Sequence, residues 1–210
     1  LSKSSVLKKD TIAHTQRVLH VGCGPKSILR LPKYFKDWQE IRLDIDARAE
    51  PDVVASITDM KAVQSESMEA LFSSHNIEHL YVHEVEVAIR EFYRVLAPSG
   101  FVFLRCPDLQ SVAELIAQDK LFDKAYDSDS GAITPFDILY GHRASVAKNP
   151  FMAHKSGFTL KALLGAFEFC GFKTPMGIRN PSTFELLVFA YKQAVEPATA
   201  KAQFQSFLAA

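Results

Sequence analysis

Apolar positions in the first hundred residues fall into short runs separated by polar turns, and their spacing alternates between two kinds. Arg17 to Gly22 (RVLHVG) is a short, mostly apolar run ended by a Gly-Cys-Gly-Pro turn, which predicts a buried strand. Ile41 to Ile45, Asp52 to Ala55 and Glu69 to Ser74 predict three more. Between Glu84 and Leu96 the spacing changes: Val85, Ala88, Ile89, Phe92, Val95 and Leu96 mark one face of a helix. Pro98 and Gly100 end it before a fifth strand, Phe101 to Cys106, closed by Pro107. Strands alternating with helices through short connections specify a mostly parallel sheet covered on both faces.

Beyond residue 107 the pattern is less regular. Helical stretches at Leu109 to Gln118 and Pro135 to Leu139 are separated by polar turns such as Asp127-Ser128-Asp129-Ser130-Gly131. Thr159 is placed to cap a helix that runs to Cys170 and stops at Gly171. Strand signals at Phe172 to Ile178 and Thr183 to Tyr191 follow, and the tail after Pro197 reads as a helix or a frayed end. The organisation expected is one domain over residues 1–210, with an N-terminal extension at 1–15 and a helical insertion at 108–158.

Composition narrows the classes. Lys plus Arg and Asp plus Glu number 24 each, which disfavours a dedicated nucleic-acid binder that must neutralise phosphates. Cys23, Cys106 and Cys170 are too few and too scattered for a disulfide framework, so a reducing cytoplasm is expected. Lys3, Lys8 and Lys9 are not followed by an apolar stretch of signal-peptide length and read as solvated. The run Leu186 to Ala190 is too short to span a bilayer. Phenylalanine is unevenly placed, with 13 of 16 after residue 100, so the two halves are expected to do different jobs.

The sharpest chemical signal is Val18-Leu19-His20-Val21-Gly22-Cys23-Gly24-Pro25. A Gly-x-Gly turn at the carboxyl end of a first parallel strand lets backbone approach a ligand where a Cβ would clash. Asp44 lies twenty residues past Gly24 and is followed by Asp46. A carboxylate there is placed to accept hydrogen bonds from the ribose of an adenosine-bearing cofactor. The nicotinamide-dinucleotide fingerprint asks for a third Gly, and Ser27 stands at that position.

These residues resemble the class I S-adenosylmethionine-dependent methyltransferases. VLHVGCGP resembles the first motif of that family, RLDID the second, and SITDM the adenine-contacting segment. FSSHNIEHL and REFYRVLAPSGFVFLRCPD resemble its fourth-strand motif, the next helix and its fifth strand. The resemblance implies a three-layer α/β Rossmann-like sandwich with seven strands in the order 3-2-1-4-5-7-6, the last antiparallel. It implies S-adenosylmethionine as cofactor, S-adenosylhomocysteine as product, and a cofactor site drawn from His20, Gly22, Cys23, Gly24, Asp44, Ile45, Asp46, Asp59, Met60, His75 and Asn76. His20 stands where the family commonly has an acid, and Ser99 separates Pro98 from Gly100 where the family's turn is Pro-Gly-Gly.

Methyl transfer from a sulfonium asks mainly for positioning and exclusion of water, so no diagnostic triad is expected. Candidate bases are His75, His79, His142 and His154. Phe122, Phe136, Tyr140 and Phe151 are candidates to line an acceptor pocket beneath the insertion, acting as a lid. His75-Asn-Ile-Glu78-His79 matches the HxxEH pattern of inverted zinc peptidases, but that site needs both histidines on one continuous helix, so no metal is expected. The reading is a methyltransferase acting on a small molecule, with no nucleic-acid or membrane partner. A non-catalytic binding subunit of the same fold and, less favoured, a nicotinamide-dependent oxidoreductase stay open as alternatives.

Overall fold

A computed structural model describes residues 15–26, 31–128 and 131–209. The expected N-terminal extension, apart from Gln16's neighbour Thr15, and Ser27 lie outside the described residues. Five strands come first: β1 (Arg17–Val21), β2 (Gln39–Asp44), β3 (Val53–Val54), β4 (Met68–Ser74) and β5 (Leu96–Pro107). A small hairpin, β6 (Tyr126–Ser128) and β7 (Gly131–Ile133), pairs only with itself, and β8 (Lys173–Asn180) and β9 (Glu185–Tyr191) return to the main sheet. The order is β3-β2-β1-β4-β5-β9-β8, and β9 runs antiparallel to both of its neighbours. Leaving the hairpin out of the count, this is the expected 3-2-1-4-5-7-6. The hairpin is the departure: the insertion is not wholly helical.

Alternation along the strands sends side chains to two separate cores. On one face Leu19, Leu71, Val102, Leu104 and Val188 meet α1 (Val82–Val95) through Ala88, Ile89 and Phe92. The same core takes Leu163 and Phe167 from α5 (Leu160–Phe169). Helix α1 begins two residues earlier than its apolar face suggests, because the Glu84 carboxylate accepts the Tyr81 N–H at 2.8 Å and caps the first turn. Thr159 caps α5 by accepting the Ala162 N–H, as expected, and Gly171 leaves that helix at φ +99°.

The opposite face is covered differently. Among the described residues, the connection from β1 to β2 contains only a 3-10 turn at Lys33–Phe35. Cover comes from the far end of the chain, where the tail forms α6 (Pro197–Ala209). Phe204 and Phe207 of α6 pack with Phe35 onto Phe72, Phe101, Phe103 and Phe189. Much of the phenylalanine excess of the second half therefore builds this sheet face. Tyr34 stacks on Phe207 at 3.8 Å, and Gln203 donates to the Tyr34 hydroxyl at 3.0 Å.

The insertion holds α2 (Leu109–Ile116), the hairpin, α3 (Pro135–Tyr140) and α4 (Arg143–Val146). Val112, Ile133 and Ile138 form a small core of their own. Its two ends meet: Asp108 and Phe158 form a parallel bridge, and the Leu109 N–H donates to the Phe158 carbonyl at 2.9 Å. The fully buried Asp108 carboxylate accepts from Ser111 Oγ and Arg179 Nε, each at 2.6 Å.

Candidate active site

A cleft of about 800 Å³ opens at the carboxyl ends of β1, β2, β4 and β5, where the strand order reverses between β1 and β4. Open α/β sheets place ligands at that switch point. Gly22 and Gly24 leave β1 with φ of +62° and +57°, the left-handed region that favours glycine. A Cβ on Gly22 would stand 2.5 Å from Asn76 Cγ. The Asn76 Nδ2 group is buried in the cleft with no hydrogen-bond partner, so it is a donor available to a ligand.

Asp44, the last residue of β2, shapes the turn. One carboxylate oxygen accepts the Gly24 N–H at 2.8 Å and the other the Asp46 N–H at 2.9 Å, leaving further lone pairs free on each. Asp46 is committed elsewhere: it caps the 3-10 turn at Ala47–Ala49 and holds Arg48 bidentately, at 2.9 and 2.7 Å. The Arg48 hydrogen bonds hold the Asp46 carboxyl below its usual range.

Arg42 was not singled out from the sequence, yet it organises this wall. Its buried guanidinium donates to the carbonyls of Gly24, of Ala49 at 3.0 Å and of Glu50 at 2.7 Å. The glycine turn and the loop after β2 are thereby tied to one cation. The one available signal was a charged residue inside an apolar strand run, two positions before Asp44. Beside it, burial pushes the Cys23 thiol up to about 11; Asp44 and Glu40 raise it further, and Arg42 opposes them.

His20 is buried, its Nδ1 2.7 Å from Glu40 Oε1 and its ring 5.0 Å from Phe72. His75 follows β4 at φ +49° and joins a second polar group. Its Nε2 lies 2.8 Å from Glu185 Oε1, and Arg105 donates to both Glu185 oxygens at 2.8 and 2.9 Å. Thr183 Oγ1 donates to the same carboxylate at 2.7 Å. Burial disfavours the His75 cation, but its hydrogen bond to Glu185 and the nearby Glu78 carboxylate outweigh it and hold the imidazolium up to about 9. Burial likewise pushes the Glu185 carboxyl up, and its bond to His75 with the Arg105 charge brings it down to about 2.

Residues 19–104, which contain this turn, its acid and the whole of α1, match the methyltransferase domain family. Over that stretch the chain is similar to a methyltransferase domain. No curated protein matches it significantly. Among solved structures, a SAM-dependent methyltransferase from Archaeoglobus fulgidus is 16% identical with a TM-score of 0.55, covering 85% of this chain and 86% of its own. The CMeT domain of the citrinin polyketide synthase is 12% identical at a TM-score of 0.57, covering 86% of this chain, which spans about half (47%) of that one. The 1,6-didemethyltoxoflavin-N1-methyltransferase of Burkholderia thailandensis, solved with bound 1,6-didemethyltoxoflavin and S-adenosylhomocysteine, is 12% identical at 0.53 and covers 86% of this chain and 72% of its own. At these identities the likenesses show the fold.

S-adenosylmethionine, the cofactor that the resemblance implies, fits the residues present. The Gly22 cradle would be filled by any Cβ, the Asn76 amide is unpartnered, and Asp44 keeps lone pairs facing the cleft. His20, Cys23, Ile45 and Asp46 also line the cleft. Asp59 and Met60 do not. Met60 is fully buried, its N–H held by Glu91 at 2.8 Å and its carbonyl by Arg94 at 2.9 Å, while Asp59 pairs with Lys61 on the surface. Ser56 and Ile57 line the wall in their place. Arg94 thus pins the segment after β3 to α1.

The four candidate histidines divide. His75 and His79 line the cleft, whereas His142 lies away from it, its Nδ1 2.9 Å from Ser145 Oγ. His154 lines a smaller pocket of about 240 Å³ with Val112, Ile138 and Tyr140. Burial pushes its imidazole down, with Glu78 opposing. Of the four candidate aromatics, Phe151 lines the cleft and Tyr140 the smaller pocket. Phe122 and Phe136 line neither; they stack on each other at 5.2 Å beneath the Arg143 guanidinium. They are packing residues of the insertion.

Proposed function

We propose that this chain transfers a methyl group from S-adenosylmethionine to a small-molecule acceptor. The observation that carries the proposal is the Gly22–Asn76–Asp44 arrangement, a backbone cradle with one free amide donor and a carboxylate at the end of β2. Asp44 accepts the ribose hydroxyls with the lone pairs that Gly24 and Asp46 leave free. Ile45 and Ile57 offer apolar surface to the adenine. The sulfonium supplies an already activated methyl group, so the work of the protein is to hold the acceptor in line and keep water out.

The acceptor lies toward the smaller pocket, where Val112, Ile138 and Tyr140 present an apolar wall. Asn149, Phe151, Met152 and Lys155 from the insertion line the cleft itself, so the insertion serves as its lid. His79 stands on the acceptor side as the candidate base, with His75 held as a cation beside it. Among the described residues no helix is long and apolar enough to cross a membrane, and the three buried free thiols suit a reducing compartment such as the cytoplasm.

Calorimetric titration with S-adenosylhomocysteine and with NAD tests the cofactor, and transfer of labelled methyl to a panel of hydroxyl, amine and carbon acids tests the reaction. Binding of S-adenosylhomocysteine but not NAD, with turnover of at least one acceptor class, is the expected result. NAD binding in preference would overturn the cofactor, and tight S-adenosylhomocysteine binding without any transfer would reduce the chain to a binding subunit.

A further inference from the structure

We propose that Glu78, His79 and His154 bind one divalent transition-metal cation between the cofactor cleft and the smaller pocket. One donor atom from each of the three lies within 4.8 Å of the others. Tetrahedral donors around a zinc-sized ion at about 2.1 Å stand roughly 3.4 Å apart, so a small closing movement completes the set. Glu78 and His79 belong to a 3-10 turn at Ile77–His79 that follows β4, and His154 belongs to the returning end of the insertion. The Glu78 carbonyl accepts from the N–H groups of Lys155 and Ser156, at 2.8 and 3.1 Å, which clamps the two segments together.

Two independent features point to a ligand. The Glu78 side chain is wholly buried, and neither of its oxygens has a hydrogen-bond partner. A buried carboxylate with no hydrogen bond is undersatisfied, and its free lone pairs are available to a cation even with the His75 imidazolium nearby. His75 Nδ1, 3.4 Å from Glu78 Oε1, gives ion-pair distance without a hydrogen bond, and its other nitrogen is held by Glu185. The second feature is how the two rings are anchored. His79 Nδ1 lies 3.1 Å from the Ala153 carbonyl and His154 Nδ1 2.8 Å from that of Ile138. A carbonyl can only accept, so each Nδ1 carries the donated proton and Nε2 is the ring atom left to ligate. His154 Nε2 faces Glu78 Oε1 at 4.0 Å, too far for a hydrogen bond. Such carbonyl-anchored imidazoles are the usual outer shell of metal-ligating histidines.

Two imidazoles and one carboxylate suit zinc and its neighbours in the first transition row, with coordination positions left open. This is not the helical HxxEH arrangement: His75 is turned to Glu185, and His83 stacks on Tyr81 instead. Binding of the cation stands on the cluster alone. Its role, holding an oxygen or nitrogen donor of the acceptor at an open coordination position in place of a free His79 base, rests on the methyl-transfer reading.

The test is calorimetric titration of the EDTA-treated full chain with Zn²⁺, and visible spectroscopy with Co²⁺, both without cofactor. One equivalent of Zn²⁺ and a tetrahedral Co²⁺ spectrum are expected, with Glu78→Gln and His154→Gln each weakening Zn²⁺ by more than about tenfold. His142→Ala should bind as the parent does. Absence of stoichiometric binding, or binding undiminished in both site variants, overturns the proposal. S-adenosylhomocysteine titration of the same samples separates the two readings: its failure removes the methyl-transfer role and leaves the metal result standing. Its success in the variants shows that they have folded.

Discussion

Asn76 occupies the volume that any side chain on Gly22 would need, with its Cγ 2.5 Å from where a Cβ would stand. The first glycine of the turn and the residue two places past β4 are therefore fitted as a pair. Gly22→Ala must displace the Asn76 amide and accept a left-handed backbone costing about 1 kcal/mol or more. S-adenosylhomocysteine affinity is expected to fall by more than about tenfold, with far-UV circular dichroism unchanged. Unaltered affinity by calorimetry would remove the turn from the cofactor site.

Asp44 and Asp46 are separable by substitution. Asp44→Ala frees the Gly24 N–H and removes the acceptor facing the cleft, so cofactor binding should weaken by about 1.5–3 kcal/mol. Asp46→Ala breaks an exposed contact to Arg48 and should leave affinity within about twofold. The opposite ranking in a titration would transfer the ribose contact to Asp46.

Arg42→Met keeps much of the side-chain length but abandons the carbonyls of Gly24, Ala49 and Glu50 in a buried setting. Each abandoned buried group costs about 1–3 kcal/mol. Calorimetric melting should show a lower Tm and weaker S-adenosylhomocysteine binding together. A lowered Tm with intact binding would show that Arg42 supports the fold and not the turn.

Cys23 sits in the cleft, yet burial raises its thiol to about 11, so little thiolate forms at pH 8. Alkylation by iodoacetamide in the native state should be slow, and no faster at Cys106 or Cys170, whose thiols burial also raises. Rapid native labelling of Cys23, read by mass spectrometry, would contradict this.

Glu185 links the return strand β9 to the cleft through His75 and Arg105. Its folded-state carboxyl, near 2, lies below the ordinary 4.5, so the stability it adds is fully present above about 4.5 and is lost as pH falls toward 2. Denaturant midpoints for the parent should drop across that window more steeply than those of Glu185→Gln. Parallel acid limbs in the two proteins would deny the linkage.

What the sequence made legible was whatever depends on local pattern. The strands, α1, α5 with its Thr159 cap and the Gly22–Gly24 turn follow from periodicity and from glycine at the end of a strand. Asp44 was found because its distance from the turn is set by one strand-to-strand crossover. Arg42 was missed because its role is to satisfy three carbonyls that only the fold brings together. Met60 was misplaced for a related reason: Glu91 and Arg94 draw it into the core from a helix thirty residues downstream. The convergence of Glu78 and His79 with His154 depends on how the insertion returns, which no periodicity encodes.

That return has a consequence for how the chain can change. Because Asp108 and Phe158 are bridged and Arg179 braces Asp108 from β8, everything between them enters and leaves the sheet through one closed gate. Closing a loop whose ends already meet costs only about 0.6 kcal/mol for each doubling of its length. Away from Asn149, Phe151, Met152 and Lys155, which line the cleft, the segment can therefore be lengthened or shortened while the strands carrying the glycine turn stay as they are. A chain built this way can reshape one side of its cleft without altering the turn at Gly22 and Gly24.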